Sequence, residues 1–275
     1  MRLAALIIAA LTGGVLLYST VDFPAWGDPA SPASTHVSPH YLEKALEETS
    51  VPNIVTAVLA DYRSFDTLFE ATVIFTAGAV CVILLRIFGV HNRDRYYRHL
   101  LTGVTIHVIG DKKIPEDSEV FERIDALWVP HDVIISTISR ILIPFIQLFA
   151  LYVLAHGHHS PGGGFQGGVI LGASVILMAI STNLRISLQR VGERTVALLA
   201  ALGLLIYAGT GVLCMLSGGN YLDYAALAEW LPVDPVAARS LGILLVEIGV
   251  GVTVSATMIA IYRNLASSGR MDEGL

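Results

Sequence analysis

Six long apolar stretches constrain this chain more than any other feature. They are Leu3–Thr20, Leu68–Gly89, Val133–Ala155, Val169–Thr182, Val196–Leu216 and Leu241–Tyr262. A helix that crosses the hydrocarbon core of a bilayer needs about 20 mostly apolar residues. The fourth stretch is the shortest. Of the 275 residues, 54% are hydrophobic and 15% are charged, whereas a soluble domain carries about 25% charged residues. The expected fold is an all-α integral membrane protein with six transmembrane helices. Leu3–Thr20 reads as a retained helix. It has one basic residue before it, and "LLYSTVDFP" at its end lacks the small-residue pattern of a cleavage site.

Lysine and arginine set the orientation, because they concentrate on the inner side of a membrane. With the amino terminus inside, thirteen of the 17 lie inside, Arg93, Lys112, Lys113, Arg185 and Arg270 among them. Three lie outside (Lys44, Arg63, Arg239), and Arg140 lies within a helix. Both termini are therefore expected to be cytoplasmic. Dropping any one helix would scramble the alternation, so the fourth stretch also spans. The outer segment Val21–Asp66 holds Asp22, Asp28, Glu43, Glu47, Glu48, Asp61 and Asp66 against Lys44 and Arg63. That balance speaks against a nucleic-acid partner and suits either nearby cations or a solvated acidic surface. Cys81 and Cys214 fall within apolar helices and read as fillers rather than a disulfide.

Spacing divides the chain into two modules. Residues 1–90 hold two helices and a long outer loop, 91–132 form a basic linker, and 133–275 hold four helices on shorter loops. In the outer loop, "SPHYLEKALEETS" offers Ser38 as an N-cap and Pro39 at the first helical position. Tyr41, Leu42, Ala45, Leu46 and Thr49 then share one side, suited to a membrane surface or a partner. "RHLLTGVTIHVIG" in the linker suits a strand or a docked helix equally.

"HGHHSPGGGFQGG", His156–Gly168, is the most unusual stretch. Three readings compete. His156, His158 and His159 have nitrogen ligands to offer a metal, yet no cysteine or carboxylate lies close in sequence, and adjacent rings do not easily converge. A phosphate cradle would need the Lys-Ser/Thr of a P-loop and a preceding strand, and both are missing. What remains is a tight turn. Glycine permits positive φ and close backbone approach, Pro161 stiffens the entry, and Gly167, Gly168 and Gly172 give the next helix a small face. The turn should contact another helix or another chain, and no metal is expected.

The same stretch carries a resemblance. "AHGHHSPGGGFQGG" between two membrane helices resembles the MnhB/MrpB subunit of Mrp-type multisubunit Na⁺/H⁺ antiporters, whose pattern is AGH-x-x-PGGGF-x-GG. The histidines here outnumber that pattern. The resemblance covers about Pro130 to Tyr262. The first module, "VDFPAWGDPASPASTHVSPHYLEKALEETSVPNIVTAVLADYRSFDTLFEATVIFTAG", resembles an MbhE-type domain, like the carboxyl end of the large MrpA protein. The resemblance implies a fusion of the two. It implies a subunit in the middle of a Na⁺/H⁺ exchanging complex in the cell (inner) membrane, with the other Mrp-type subunits, lipid, Na⁺ and H⁺ as partners. It implies that His156, His158, Pro161, Gly162, Gly163, Gly164, Phe165, Gly167 and Gly168 form an interface motif. The alternative is the ion-translocating membrane subunit of a membrane-bound hydrogenase or related respiratory complex.

Ionisable groups at membrane depth are few, so each marks a candidate for the ion path. Glu247 in "LLVEIGVGVTV" is followed by Gly249 and Gly251, which allow close packing or room for water. Arg140 lies roughly 12 Å away in depth at 1.5 Å per residue, too far for a direct pair. Glu70 follows Asp61, Arg63 and Asp66 at a helix mouth and suits either a local ion-pair cluster or an ion entry. Thr76, with Thr72, Gln147, Ser174, Thr210, Ser255 and Thr257, suits interhelical hydrogen bonds or ion contacts. No His-Glu-x-x-His or Gly-x-Ser-x-Gly motif and no iron–sulfur cysteine set appears. The chain is therefore not expected to be an enzyme or to hold a cofactor.

The charge bias predicts that Val21–Asp66 and His156–Gly168 share one membrane face, opposite His91–Asp132. In Ser34→Cys, Ser118→Cys and Ser160→Cys variants, an impermeant thiol reagent on intact cells should label the first and third. Labelling of Ser118→Cys would contradict the orientation.

Overall fold

The computed structural model describes residues 2–88, 95–108, 114, 118–123, 133–182, 184, 187, 190–267 and 269. Arg93, Lys112, Lys113, Arg185 and Arg270 lie outside these, as does much of the 91–132 linker. In chain order the elements are α1 (Arg2–Ser19), α2 (Ser38–Thr49), α3 (Ile54–Ala57), α4 (Ser64–Phe88), β1 (Arg95–His99), β2 (Thr105–Val108), β3 (Phe121–Arg123), α5 (Val133–Ala155), α6 (Gly164–Ser181), α7 (Glu193–Leu216) and α8 (Pro235–Ala266). Six helices, α1 and α4–α8, are long and apolar enough to cross a membrane. They correspond to the six apolar stretches, so this is a multi-pass helical membrane protein. The fourth span starts at Gly164, five residues ahead of Val169, because its first turn is a glycine run that packing holds helical.

α8 is the axis of the bundle. It is 32 residues long, about 48 Å at 1.5 Å per residue, and exceeds the roughly 30 Å hydrocarbon core. Two-thirds of its apolar window (67%) is buried inside the chain, against 0% for α1. Small residues let its neighbours approach to backbone contact, the usual way membrane helices gain packing energy where lipid is as apolar as their side chains. At the α7 crossing, a Cβ on Gly203 would lie 2.4 Å from the Gly249 carbonyl. At the α6 crossing, a Cβ on Gly168 would lie 2.7 Å from the Gly251 carbonyl. Gly249 and Gly251 therefore serve close packing. α5 lies on the far side of α6, where Gly167 meets the Ala150 carbonyl and Leu154. α4 closes the group, with Gly78 against Thr257.

Polar clamps fix both ends of this axis. At one end, the Asp61 carboxylate pairs with the Arg239 guanidinium at 2.9 Å, joining the turn before α4 to the start of α8. Burial pushes the Asp61 carboxyl above its ordinary range, against the opposing pull of Arg239. The Tyr207 hydroxyl of α7 donates to the Ser64 carbonyl at 2.8 Å. At the other end, fully buried Arg263 caps the Ser187 and Val191 carbonyls. There Arg86 of α4 donates to Asn264 at 2.9 Å and pairs with Glu193 in the first turn of α7. The expected Asp61–Arg63–Asp66 cluster is thus divided. Arg63 pairs with Asp66, while Asp61 reaches across to α8.

Two local expectations change. Ser38 is not the cap of α2, because a π-helical turn over Ala33–Val37 runs straight into it. Ser31 does the capping, with its hydroxyl accepting from the Ser34 N–H. Of the proposed apolar side of α2, Ala45 and Thr49 are buried, Tyr41 stacks on Tyr62, and Leu42 and Leu46 stay exposed. Behind that stack, the Tyr62 hydroxyl donates to Glu48, holding that carboxyl below its ordinary range and pushing the phenol up. The linker segment left open between strand and helix forms strands, in a three-stranded antiparallel sheet ordered β2-β1-β3. Tyr97 pairs with Ile106, and Arg98 with Glu122. Aromatic and β-branched residues favour that state.

The α7–α8 crossing makes a direct prediction. Gly203→Ala should lower the unfolding free energy in detergent by about 1–3 kcal/mol, the range for overpacking. Gly209→Ala, whose Cβ meets nothing within 4 Å, should leave it unchanged or slightly raised. Equal behaviour of the two would refute the crossing.

Candidate functional site

The glycine turn and Glu247, separate features of the sequence, form one site. Glu247 is only 7% exposed. The turn lies directly over it. A Cβ on Gly164 would lie 2.0 Å from the Glu247 carbonyl, one on Gly163 2.4 Å from its Oε1, and one on Gly157 2.9 Å from its Oε2. Gly162 and Gly163 also take φ values of +151° and +142°, which side chains rarely adopt. These glycines are required by contact and by conformation together. The turn's partner is thus a helix of the same chain. The Gly164 N–H, at the start of α6, donates to the Glu247 carboxyl. A helix amino terminus offers free N–H groups and a partial positive charge, a favourable setting for an anion.

The second partner of the carboxyl is His158. Its Nε2 stands 3.8 Å from Glu247 Oε2. That is beyond hydrogen-bond length, and both atoms are buried with no hydrogen-bond partner among the described residues. Burial, and then the charge of His159, holds the His158 ring below the usual histidine range. The three histidines do not converge. His156 stacks on Tyr152 at 4.1 Å and His159 is exposed. Among the described residues, no group of three His, Cys, Asp or Glu side chains comes together as a metal site would require.

The first module holds the turn in place. Asn53 caps α3 by accepting from the Val55 N–H at 3.1 Å. Its amide then donates to the Gly157 carbonyl at 2.8 Å and to the Ser160 carbonyl at 2.9 Å. The Thr56 hydroxyl donates to Gly157 at 2.8 Å, and the Asn53 N–H to the His158 carbonyl at 2.9 Å. Carbonyls of a glycine-rich loop, unable to bond within a helix or sheet, are satisfied from the other module. Sequence reasoning missed this. The Asn before an apolar run signals a helix cap, but nothing in the sequence shows where its amide points.

A cavity of about 230 Å³ lies beside the carboxyl, between the two modules. Glu247, Glu70, Gln166, Thr56 and Thr67 supply its polar walls, with Phe165 and other apolar side chains. Polar groups and room for several waters let such a space hold ordered water. Two of the five ion-path candidates, Glu247 and Glu70, thus face one cavity. The other three do not join them. Asp66 pairs locally with Arg63. The Thr76 hydroxyl donates to the Thr72 carbonyl of its own helix. Arg140 is exposed on α5, with no direct link to Glu247. Thr72, Ser174, Thr210 and Ser255 likewise donate to carbonyls of their own helices. Such back-bonding satisfies a hydroxyl without joining two helices. In the motif, Gly157, Gly163, Gly164, Gly167 and Gly168 are buried, whereas Pro161 and Phe165 are exposed. The arrangement sets a nearly buried carboxyl beside a partly polar cavity.

Comparison with known proteins finds relatives for both parts of the chain. Residues 134–260 match the model of a domain related to the MnhB subunit of Na⁺/H⁺ antiporters, and residues 2–95 match the MbhE model, named for a component of MBH. A probable K⁺/H⁺ antiporter protein of Rhizobium meliloti, an A/B-type component, is 26% identical over 235 residues, 84% of this chain and 22% of that protein. The chain therefore spans about a fifth of the length of that relative. A putative antiporter subunit mnhB2 of Staphylococcus aureus is 30% identical over 134 residues, 46% of this chain and 94% of that one. Among solved structures, a chain of the Mrp complex of Dietzia sp. aligns with a TM-score of 0.60 at 25% identity, covering 99% of this chain and 26% of that one. A chain of an archaeal membrane-bound sulfane sulfur reductase aligns at 0.58 and 25% identity, covering 96% and 97%. The chain belongs to the MnhB family, with an MbhE segment preceding the MnhB domain.

Proposed function

We propose that the chain is a subunit of a multisubunit cation/proton antiporter in the cell membrane. In this reading it is not an enzyme; it links residues 1–90 and 133–275 across the 91–132 linker and works with the complex's other subunits. The turn end, with the Val21–Asp66 loop, faces outward, and both termini face the cytoplasm. Glu247 is the group of this chain that carries charge in exchange, and Glu70 lines the same passage. One observation carries this reading: a nearly buried carboxyl at membrane depth opens on a cavity shared by both modules. A carboxyl in such a place is costly unless it has a use or a partner. Among the described residues, its close polar partners are a backbone N–H and a histidine that is not hydrogen-bonded to it. The second reading, a membrane subunit of a respiratory complex, is favoured by the end-to-end match to the sulfane sulfur reductase chain. There the same carboxyl would serve ion translocation driven by redox chemistry on other chains.

Glu247→Gln separates use from packing, because the amide keeps the size and loses the exchangeable proton. In vesicles carrying the assembled complex, Na⁺/H⁺ or K⁺/H⁺ exchange should fall by about a hundredfold, the lower end of what losing a positioned proton-transfer group costs. Subunit composition on a native gel should not change. Unchanged exchange with a reduced yield of complex would make Glu247 a packing residue.

A further inference from the structure

We infer that His158 is the group through which protons reach and leave Glu247 from the turn end of the bundle. This rests on the role proposed for Glu247 and adds a second residue to it. Two buried titratable atoms, His158 Nε2 and Glu247 Oε2, face each other at 3.8 Å, and neither has a hydrogen-bond partner among the described residues. On the opposite side of the ring, Nδ1 faces the Ser240 hydroxyl at 3.5 Å. The Asn53 side-chain amide and N–H donate to the loop that carries the ring and hold it. The ring is therefore placed, and its inner nitrogen has one group to address. A side-chain rotation of about 1 Å brings Nε2 and Oε2 into hydrogen-bond reach.

The step balances simply. An imidazolium donates its Nε2 proton to Oε2, breaking N–H and forming O–H. A neutral ring and a neutral carboxyl result, and the ring takes its next proton from water at the turn end. In the reverse direction the carboxyl returns the proton to Nε2. Among the described residues, the groups that face this pair are few. His159 adjoins it on the turn, and Ser240 lies on α8. The charge of Arg239 is matched by Asp61. Glu70 of α4 and Gln166 of α6 line the adjoining cavity. Burial favours the neutral form of the ring, and among the described residues the Glu247 carboxyl is the group that faces its Nε2.

The test is His158→Gln in the intact complex, assayed in vesicles for exchange as a function of pH on the turn side. The wild type should show a titration step on the acid side of about 6.5, the ordinary histidine value. The variant should assemble, exchange roughly a hundredfold more slowly and lack that step. Full exchange with the same pH profile would overturn the inference. If Glu247→Gln abolishes exchange and His158→Gln does not, only the histidine step fails. If neither affects it, the proposed function of the site fails as well. Should His158→Gln not assemble, the double variant His158→Gln/Glu247→Gln decides. Restored assembly would show that the two groups answer to each other, and no restoration would overturn the pairing.

Discussion

The fold turns on one carboxyl. Glu247 lies within the most buried helix of the chain, and the glycine turn rests on its backbone and on both of its oxygens. An anion there must be stabilised by donors that the bundle supplies, and the amino terminus of α6 supplies one. That end of the helix can approach only because Gly163 and Gly164 have no side chains. The glycine run and the carboxyl are thus two halves of one contact, and neither makes structural sense without the other.

The rest of the bundle keeps that contact in register. α8 crosses α6 and α7 through Gly251 and Gly249, and its ends are tied by Arg239 and Arg263. Backbone-close crossings tolerate little sliding, since a shift of one residue would drive a side chain into a carbonyl. The first module contributes Asn53, Thr56 and Asp61, which bond the turn and α8. It therefore completes the second module and does more than precede it. The cavity at this joint is lined by a carboxyl from each module, Glu70 and Glu247.

Much of this was legible in the sequence because the bilayer imposes a simple rule on length and polarity. The six spans follow from apolar runs, and the need for glycine in "SPGGGFQGG" follows from conformation. Glu247 and Glu70 stand out because charge is rare at that depth. What was hidden is tertiary. Nothing in "LLVEIGVGVTV" shows that its carboxyl lies under residues 157–164. His158 looked like one of three similar rings, and its distinction is one of position alone. Asp61 sits beside Arg63 in the sequence yet pairs with Arg239, because the π-helical turn at Val58–Tyr62 rotates it toward α8. Ser38 looked like a cap, but the helical path begins earlier, at Ser31.

The central claim is that the first module holds the glycine turn over Glu247. Asn53→Asp tests it with little change in shape: the carboxylate still caps α3 but can no longer donate to Gly157 and Ser160. The measurement is hydrogen exchange of the peptide covering residues 156–168, in the assembled complex, beside the wild type. The structure predicts that the turn amides lose protection while those of α7 and the centre of α8 keep theirs. Unchanged protection of the turn in Asn53→Asp would contradict it.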